Sequence, residues 1–175
     1  MEESIALIDS IIEEHGIIAG EFQNLEQVAS DTEAIRELEK TKEVFMPGRF
    51  DQESSLQKLG ELLETIGSGL EAHFDREETG LLTAFENYGD RELASALHSL
   101  LSEHEDIRGR FTHLRKIVTE LVGGKLSRHV WEASAHDMRA YVSHTRKLVG
   151  VHAENEQKLL QKLRSQLMER EKENN

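Results

Sequence analysis

Apolar residues return every three or four positions along most of the chain, and they divide it into four stretches with a helical period. In the first, Ile8, Ile11, Ile18, Phe22 and Leu25 share one side of a helix expected from about Ser4 towards Val44. Ser30-Asp31-Thr32 is a candidate break there, able to cap a second helix. Met46-Pro47-Gly48-Arg49 reads as a connector. The second stretch begins near Asp51 or Ser54, aligns Leu59, Leu63, Ile66, Leu70 and Leu81, and ends at Asn87-Tyr88-Gly89-Asp90. Asp90 is then placed to cap the third, which aligns Leu93, Leu97, Leu100, Ile107, Phe111, Leu114 and Val118 without interruption. Gly123-Gly124 closes it, and the fourth starts around Ser127 with Met138, Tyr141, Leu148 and Leu159 on its stripe. Short turns between long amphipathic helices predict an all-α, antiparallel, up-down-up-down four-helix bundle over residues 1–168. Residues 169–175 form a charged tail expected to fray.

Histidines interrupt these stripes, one per helix: His15, His73, His104 and His152. Two of them open a His-x-x-x-Glu pair, His73–Glu77 and His152–Glu156. Residues four apart lie one above the other on a helix, so each pair can offer a nitrogen and an oxygen to one site. At about 100° per residue, His113 falls opposite His104 and His136 nearly opposite His152, while His98 and His129 point away and His144 is on a flank. His15 and His104 each lie roughly 20 Å into their helices at about 1.5 Å per residue, and His73 a similar distance before its turn. His152 is farther from the Gly123-Gly124 turn than His104 is, so the third and fourth helices must be offset or the turn irregular.

An ionised carboxylate on a core face needs a partner. No lysine shares the stripes of Glu77 and Glu156, and Arg108 is the one nearby candidate cation. Metal ions answer the need more simply, each glutamate being able to bridge two ions. Four imidazoles and two carboxylates suit two iron or manganese ions better than closed tetrahedral zinc. Ala19 and Gly69, one turn from His15 and His73, are small enough to leave room for a diatomic ligand, and Tyr141 could donate a hydrogen bond near the site.

Composition narrows the field. A formal net charge of −13 argues against nucleic acid or an anionic membrane surface as partner. With no cysteine, disulfides, thiolate metal sites and thiol redox chemistry are excluded, and a cytoplasmic setting is expected. The N-terminal residues lack a basic region followed by a signal-length apolar core, and no stretch is expected to span a membrane.

In the order His, His-x-x-x-Glu, His, His-x-x-x-Glu, the chain resembles the hemerythrin-like, or HHE cation-binding, family over most of its length. The strings Glu14-His15-Gly16, His73-Phe74-Asp75-Arg76-Glu77-Glu78 and Glu103-His104-Glu105-Asp106-Ile107-Arg108 carry the same likeness. The resemblance implies a non-haem di-iron centre, oxo- or hydroxo-bridged, ligated by His15, His73, Glu77, His104, His152 and Glu156 with the two glutamates bridging. Invertebrate oxygen carriers have a second histidine where this chain has Arg108, and an aspartate where it has Glu156. The set is more similar to the repair-of-iron-centres proteins, which carry a cysteine-bearing N-terminal segment; the present sequence contains no cysteine. Binding or sensing of O2 or NO is the expected activity. The alternatives are a di-iron enzyme acting on NO, peroxide or O2 with an unidentified electron donor, and iron storage or delivery, including iron–sulfur centre repair. No nucleophile constellation, phosphate loop or cofactor fingerprint is present, so any chemistry would belong to the metals.

Overall fold

The computed structural model describes residues 1–39, 50–123 and 125–173, with the side chains of 32–39 and 50–54 left aside. The predicted connector around Pro47 lies outside the described residues. Among those described there is no strand, and the chain is all-α. The elements are α1 (Glu2–Glu39), α2 (Phe50–Arg76), a π-helical turn (Glu77–Leu81), α3 (Leu82–Tyr88), α4 (Arg91–Leu101), α5 (His104–Val122) and α6 (Arg128–Glu173). They group into the four helical stretches that the periodicity predicts. No described helix is long and apolar enough to cross a membrane.

Three local features differ from the sequence reading. α1 does not break at Ser30-Asp31-Thr32. Ser30 Oγ donates to the Glu26 carbonyl at 2.9 Å and Gln27 Nε2 donates to Asp31 Oδ1 at 2.9 Å. Both bonds span one helical turn, so these residues serve the helix instead of stopping it. The third stretch is interrupted at Ser102 and Glu103, where Glu103 N–H donates to Leu100 O at 2.9 Å across three residues. Periodicity cannot see this tightening, because Leu97, Leu100, His104 and Ile107 keep helical spacing through it. The second stretch contains the π turn, in which Leu82 N–H donates to Glu77 O, five residues back.

Other signals hold. Asp90 caps α4, its side chain accepting from Leu93 N at 2.8 Å. Gly89 admits no side chain, since a Cβ there would stand 2.6 Å from Phe85 O. α6 continues as helix to Glu173.

Contacts divide the chain into two compact units. The first comprises Met1–Ala19, Ser68–Ile107 and Leu148–Asn175. Its apolar core is built from Ile8 and Ile11 of α1, Leu81 of the π turn, Phe85 of α3, Leu93 and Leu97 of α4, and Leu160, Leu163 and Leu167 of α6. Here α1 approaches the π turn closely: a Cβ at Gly80 would lie 2.9 Å from Leu7 Cδ2. Asp9 and Arg164 close the rim of this unit with a 2.7 Å ion pair.

The second unit comprises Gly20–Gly67 and Arg108–Lys147. Phe22 meets Phe111 edge-to-face at 5.5 Å, and Leu25, Leu59, Leu63, Leu114, Met138 and Val142 are buried with them. Trp131, also buried, donates its indole N–H to Leu121 O at 3.1 Å, which satisfies its polar edge. Each unit therefore has its own apolar interior. The six candidate ligands all belong to the first.

Candidate metal centre

His15, His73, Glu77, His104, His152 and Glu156 are all buried, and all belong to the first unit. His98, His113, His129 and His136 are exposed, as the angular reading requires, and so is His144 on its flank. α1 supplies His15, the last turn of α2 supplies His73, and α6 supplies His152 and Glu156. Glu77 opens the π turn and His104 opens α5 directly after the interruption. Two of the six thus stand where regular α-helix gives way, as is common where side chains must be aimed at a site.

The six side chains converge. His15, His73, Glu77 and Glu156 form one group, and Glu77, His104 and His152 a second, each with ligand atoms within 4.8 Å of one another. Glu77 is common to both. Its Oε1 lies 2.7 Å from His73 Nε2 and 3.8 Å from His15 Nε2, and its Oε2 lies 3.2 Å from His104 Nε2. Glu156 Oε2 accepts from His15 Nε2 at 3.2 Å and lies 3.9 Å from His152 Nε2. Phe74 stacks on the His104 ring at 3.8 Å and 14°, forming an apolar wall.

Short distances here are not matched by hydrogen bonds. Neither oxygen of Glu77 has an aligned donor, and Glu156 Oε1 and His15 Nδ1 also lack partners. Buried polar atoms left in this way cost about 1–3 kcal/mol each. His73 Nε2 is thus 2.7 Å from Glu77 Oε1 without being hydrogen-bonded to it. His104 Nε2 and His152 Nε2 face each other at 3.2 Å, where two lone pairs repel unless a proton or cation lies between or beside them. These orphaned atoms fit metal ions: two carboxylates and four imidazole nitrogens are a donor set that iron and manganese accept.

Each outward nitrogen but one has a carboxylate. His73 Nδ1 donates to Glu14 Oε2 at 2.7 Å, His104 Nδ1 to Glu78 Oε1 at 2.8 Å, and His152 Nδ1 to Glu103 Oε2 at 2.9 Å. A carboxylate can only accept, so each Nδ1 carries the proton and leaves Nε2 facing inward. Sequence reasoning quoted these glutamates within family-like strings without giving them a role. Their signal was the acidic doublets beside the ligands.

Electrostatics follow from the crowding. Burial pushes the Glu77 carboxyl up, but His104, His15 and His73 outweigh it and hold it well below the usual carboxylate range. Burial raises Glu156, and the Glu77 charge adds to that despite the His15 hydrogen bond. For His15, burial favours the neutral ring, yet Glu156 and Glu77 prevail and lift it to about 9. His73 is raised against its burial by Glu77 and Glu14. Glu14, opposed by its own burial, is lowered by Arg76, at 2.7 Å, and by His73. The neighbouring carboxylates thus favour the protonated forms of His15 and His73.

Three expectations for neighbouring residues are corrected. Gly69 and Ala19 are exposed, and a Cβ at Gly69 would meet nothing within 4 Å, so neither lines a closed space for a small ligand. Both stand only about 40° round the helix from His15 and His73, so exposure, not helical angle, sets them apart from the buried rings. Tyr141 belongs to the second unit, its ring 4.9 Å from His113 and beneath the Arg110 guanidinium at 5.5 Å.

The sequence pattern of the hemerythrin HHE cation binding domain matches residues 6–173. The chain belongs to this family. The HHE match covers all six clustered residues and both units, so the cation-binding character of the family and the convergence of histidine and glutamate agree on metal binding. No curated protein and no solved structure matches the chain.

Proposed function

We propose that this HHE protein holds two iron ions between His15, His73, Glu77, His104, His152 and Glu156, and that its activity is binding or sensing of O2 or NO. The observation that carries this reading is the set of buried, unpartnered lone pairs on Glu77 and Glu156 among four inward-facing imidazoles. Glu77 would be one bridge, its Oε1 lying near His73 and its Oε2 near His104. Glu156 would be the second bridge, turned from His15 towards His152. When bound, the iron pair supplies a redox-active centre able to take a diatomic ligand.

The protein's own residues set the conditions for that chemistry. Burial of all six excludes bulk water and Phe74 closes one wall, so that a small uncharged gas enters more readily than an anion. His15 Nε2 must release the proton it shares with Glu156 before it can act as a ligand. An up-down-up-down antiparallel course of the four helical stretches accounts for one histidine from each reaching a single cluster. A cysteine-free, acidic chain suits a reducing cytoplasmic setting.

Metal analysis of the purified protein, with visible spectra before and after reduction and then under O2 and NO, tests the reading. About two irons per chain, with bands that appear on gas binding and reverse without turnover, are expected. Two irons that consume O2, NO or peroxide would instead make the protein a di-iron enzyme. Iron that exchanges freely with a chelator and gives no gas-dependent bands would favour storage or delivery. A folded chain unable to take up metal would refute all three.

A further inference from the structure

Three carboxylates outside the cluster share one arrangement. Glu14, Glu78 and Glu103 each accept from the Nδ1 of a different imidazole, at 2.7, 2.8 and 2.9 Å, on His73, His104 and His152 respectively. Each also stands beside an inner residue in the chain: Glu14 before His15, Glu78 after Glu77, Glu103 before His104. In every case the imidazole it braces belongs to a different helical stretch from its own, so the three bonds tie the stretches together around the cluster. Glu14 is itself held, by Arg76 Nη2 at 2.7 Å and by the Ser10 hydroxyl at 3.3 Å. The fourth imidazole has no brace: His15 Nδ1 is buried without a partner.

We infer that Glu14, Glu78 and Glu103 are positioning residues, which fix the Nδ1–H form of His73, His104 and His152 and aim their Nε2 lone pairs at the metals. The inference rests on the metal reading above. A neutral imidazole has one proton for two nitrogens, and only the form protonated at Nδ1 can ligate through Nε2. A carboxylate on the outer nitrogen selects that form, locks the ring plane and raises the basicity of the ligating nitrogen. An exposed glutamate with no such task would not be held at one angle by a buried ring. Glu103 shows the point, since its side chain is 52% exposed and yet reaches back from the α4–α5 interruption to His152. His15 has no such brace on its outer nitrogen, its one close hydrogen bond being from Nε2 to Glu156.

The test uses the full chain and Glu14→Ala, Glu78→Ala and Glu103→Ala variants, each with its Gln counterpart. Ferrous iron is titrated anaerobically against a competing chelator, and the imidazole N–H signals of the metal-free chain are recorded by nitrogen-15 NMR. Each alanine variant should lose about 10–100-fold in iron affinity. It should also lose the slowly exchanging Nδ1–H signal of its own partner alone: His73 for Glu14, His104 for Glu78 and His152 for Glu103. The glutamine variants, whose amide oxygen still accepts, should keep that signal and recover part of the affinity. A merely structural role would move none of the signals selectively. Wild-type chain that takes up no iron overturns the metal reading itself. Two irons in wild type, with unchanged affinity and unchanged Nδ1–H signals in all three alanine variants, overturns the positioning role alone.

Discussion

Raising the pH of the metal-free protein should destabilise it across a defined window, because protons stand in the cluster where cations fit. His15 is held to about 9 in the folded chain, against 6.5 for an ordinary imidazole. Its folded pKa lies above its unfolded one, so the stabilisation is complete below about 6.5 and is lost as pH rises through about 9. At about 1.4 kcal/mol per pH unit, the gap corresponds to about 3 kcal/mol. His73 and Glu156, both raised, act in the same direction. For a chain of this size that loss lowers Tm by roughly 6–12 °C. Thermal or urea unfolding of chelator-treated protein, followed by circular dichroism from pH 6 to 9.5 (about the span of the window), measures it. The metal-loaded protein should not show the loss, since the ions replace the protons. A metal-free chain whose stability is flat or rises between about 6.5 and about 9 would refute the reasoning.

Replacing Glu77 and Glu156 together by alanine should abolish stoichiometric metal, whereas His113→Ala, on an exposed ring, should leave it intact; equal metal content in the two would sink the site assignment. Gly69→Ala should stabilise α2 by about 0.4–1 kcal/mol without changing gas binding, because a Cβ there meets nothing. A shift in gas affinity would return Gly69 to the site. Asp90→Ala should lower the urea midpoint through loss of the cap on Leu93 N, and an unchanged midpoint would count against the cap.

Much of this was legible in the sequence because burial is periodic. The stripe that carries Leu59, Leu63, Ile66 and Leu70 also carries His73 and Glu77, and all six are buried. The same rule turned His98, His113, His129 and His136 away from the stripes, and all four are exposed. What stayed hidden has no periodic signature. A π turn at Glu77–Leu81 inserts extra backbone without disturbing the visible spacing of Glu77 and Leu81, both of which remain buried. The interruption at Ser102 and Glu103 carries neither glycine nor proline. Gly69 and Ala19 were misplaced because adjacency to a ligand by one turn does not fix the side of the helix on which a small residue opens space.

The most informative spacing in the chain proves to be the shortest. His-x-x-x-Glu pairs place a nitrogen and an oxygen on one face, but glutamate is frequent here and such pairs arise readily by composition. The doublets Glu14-His15, Glu77-Glu78 and Glu103-His104 do something a lone pair cannot. In each doublet one member belongs to the cluster, while the other reaches a ring on a different stretch. One short stretch then places one residue of the cluster and hydrogen-bonds the ring of another that it does not carry. Rotation of any one stretch would disturb both at once, which makes the cluster a test of helix registry as well as a site for cations. His15 alone lies outside this interlock on its outer side, because its Nδ1 is buried without a partner.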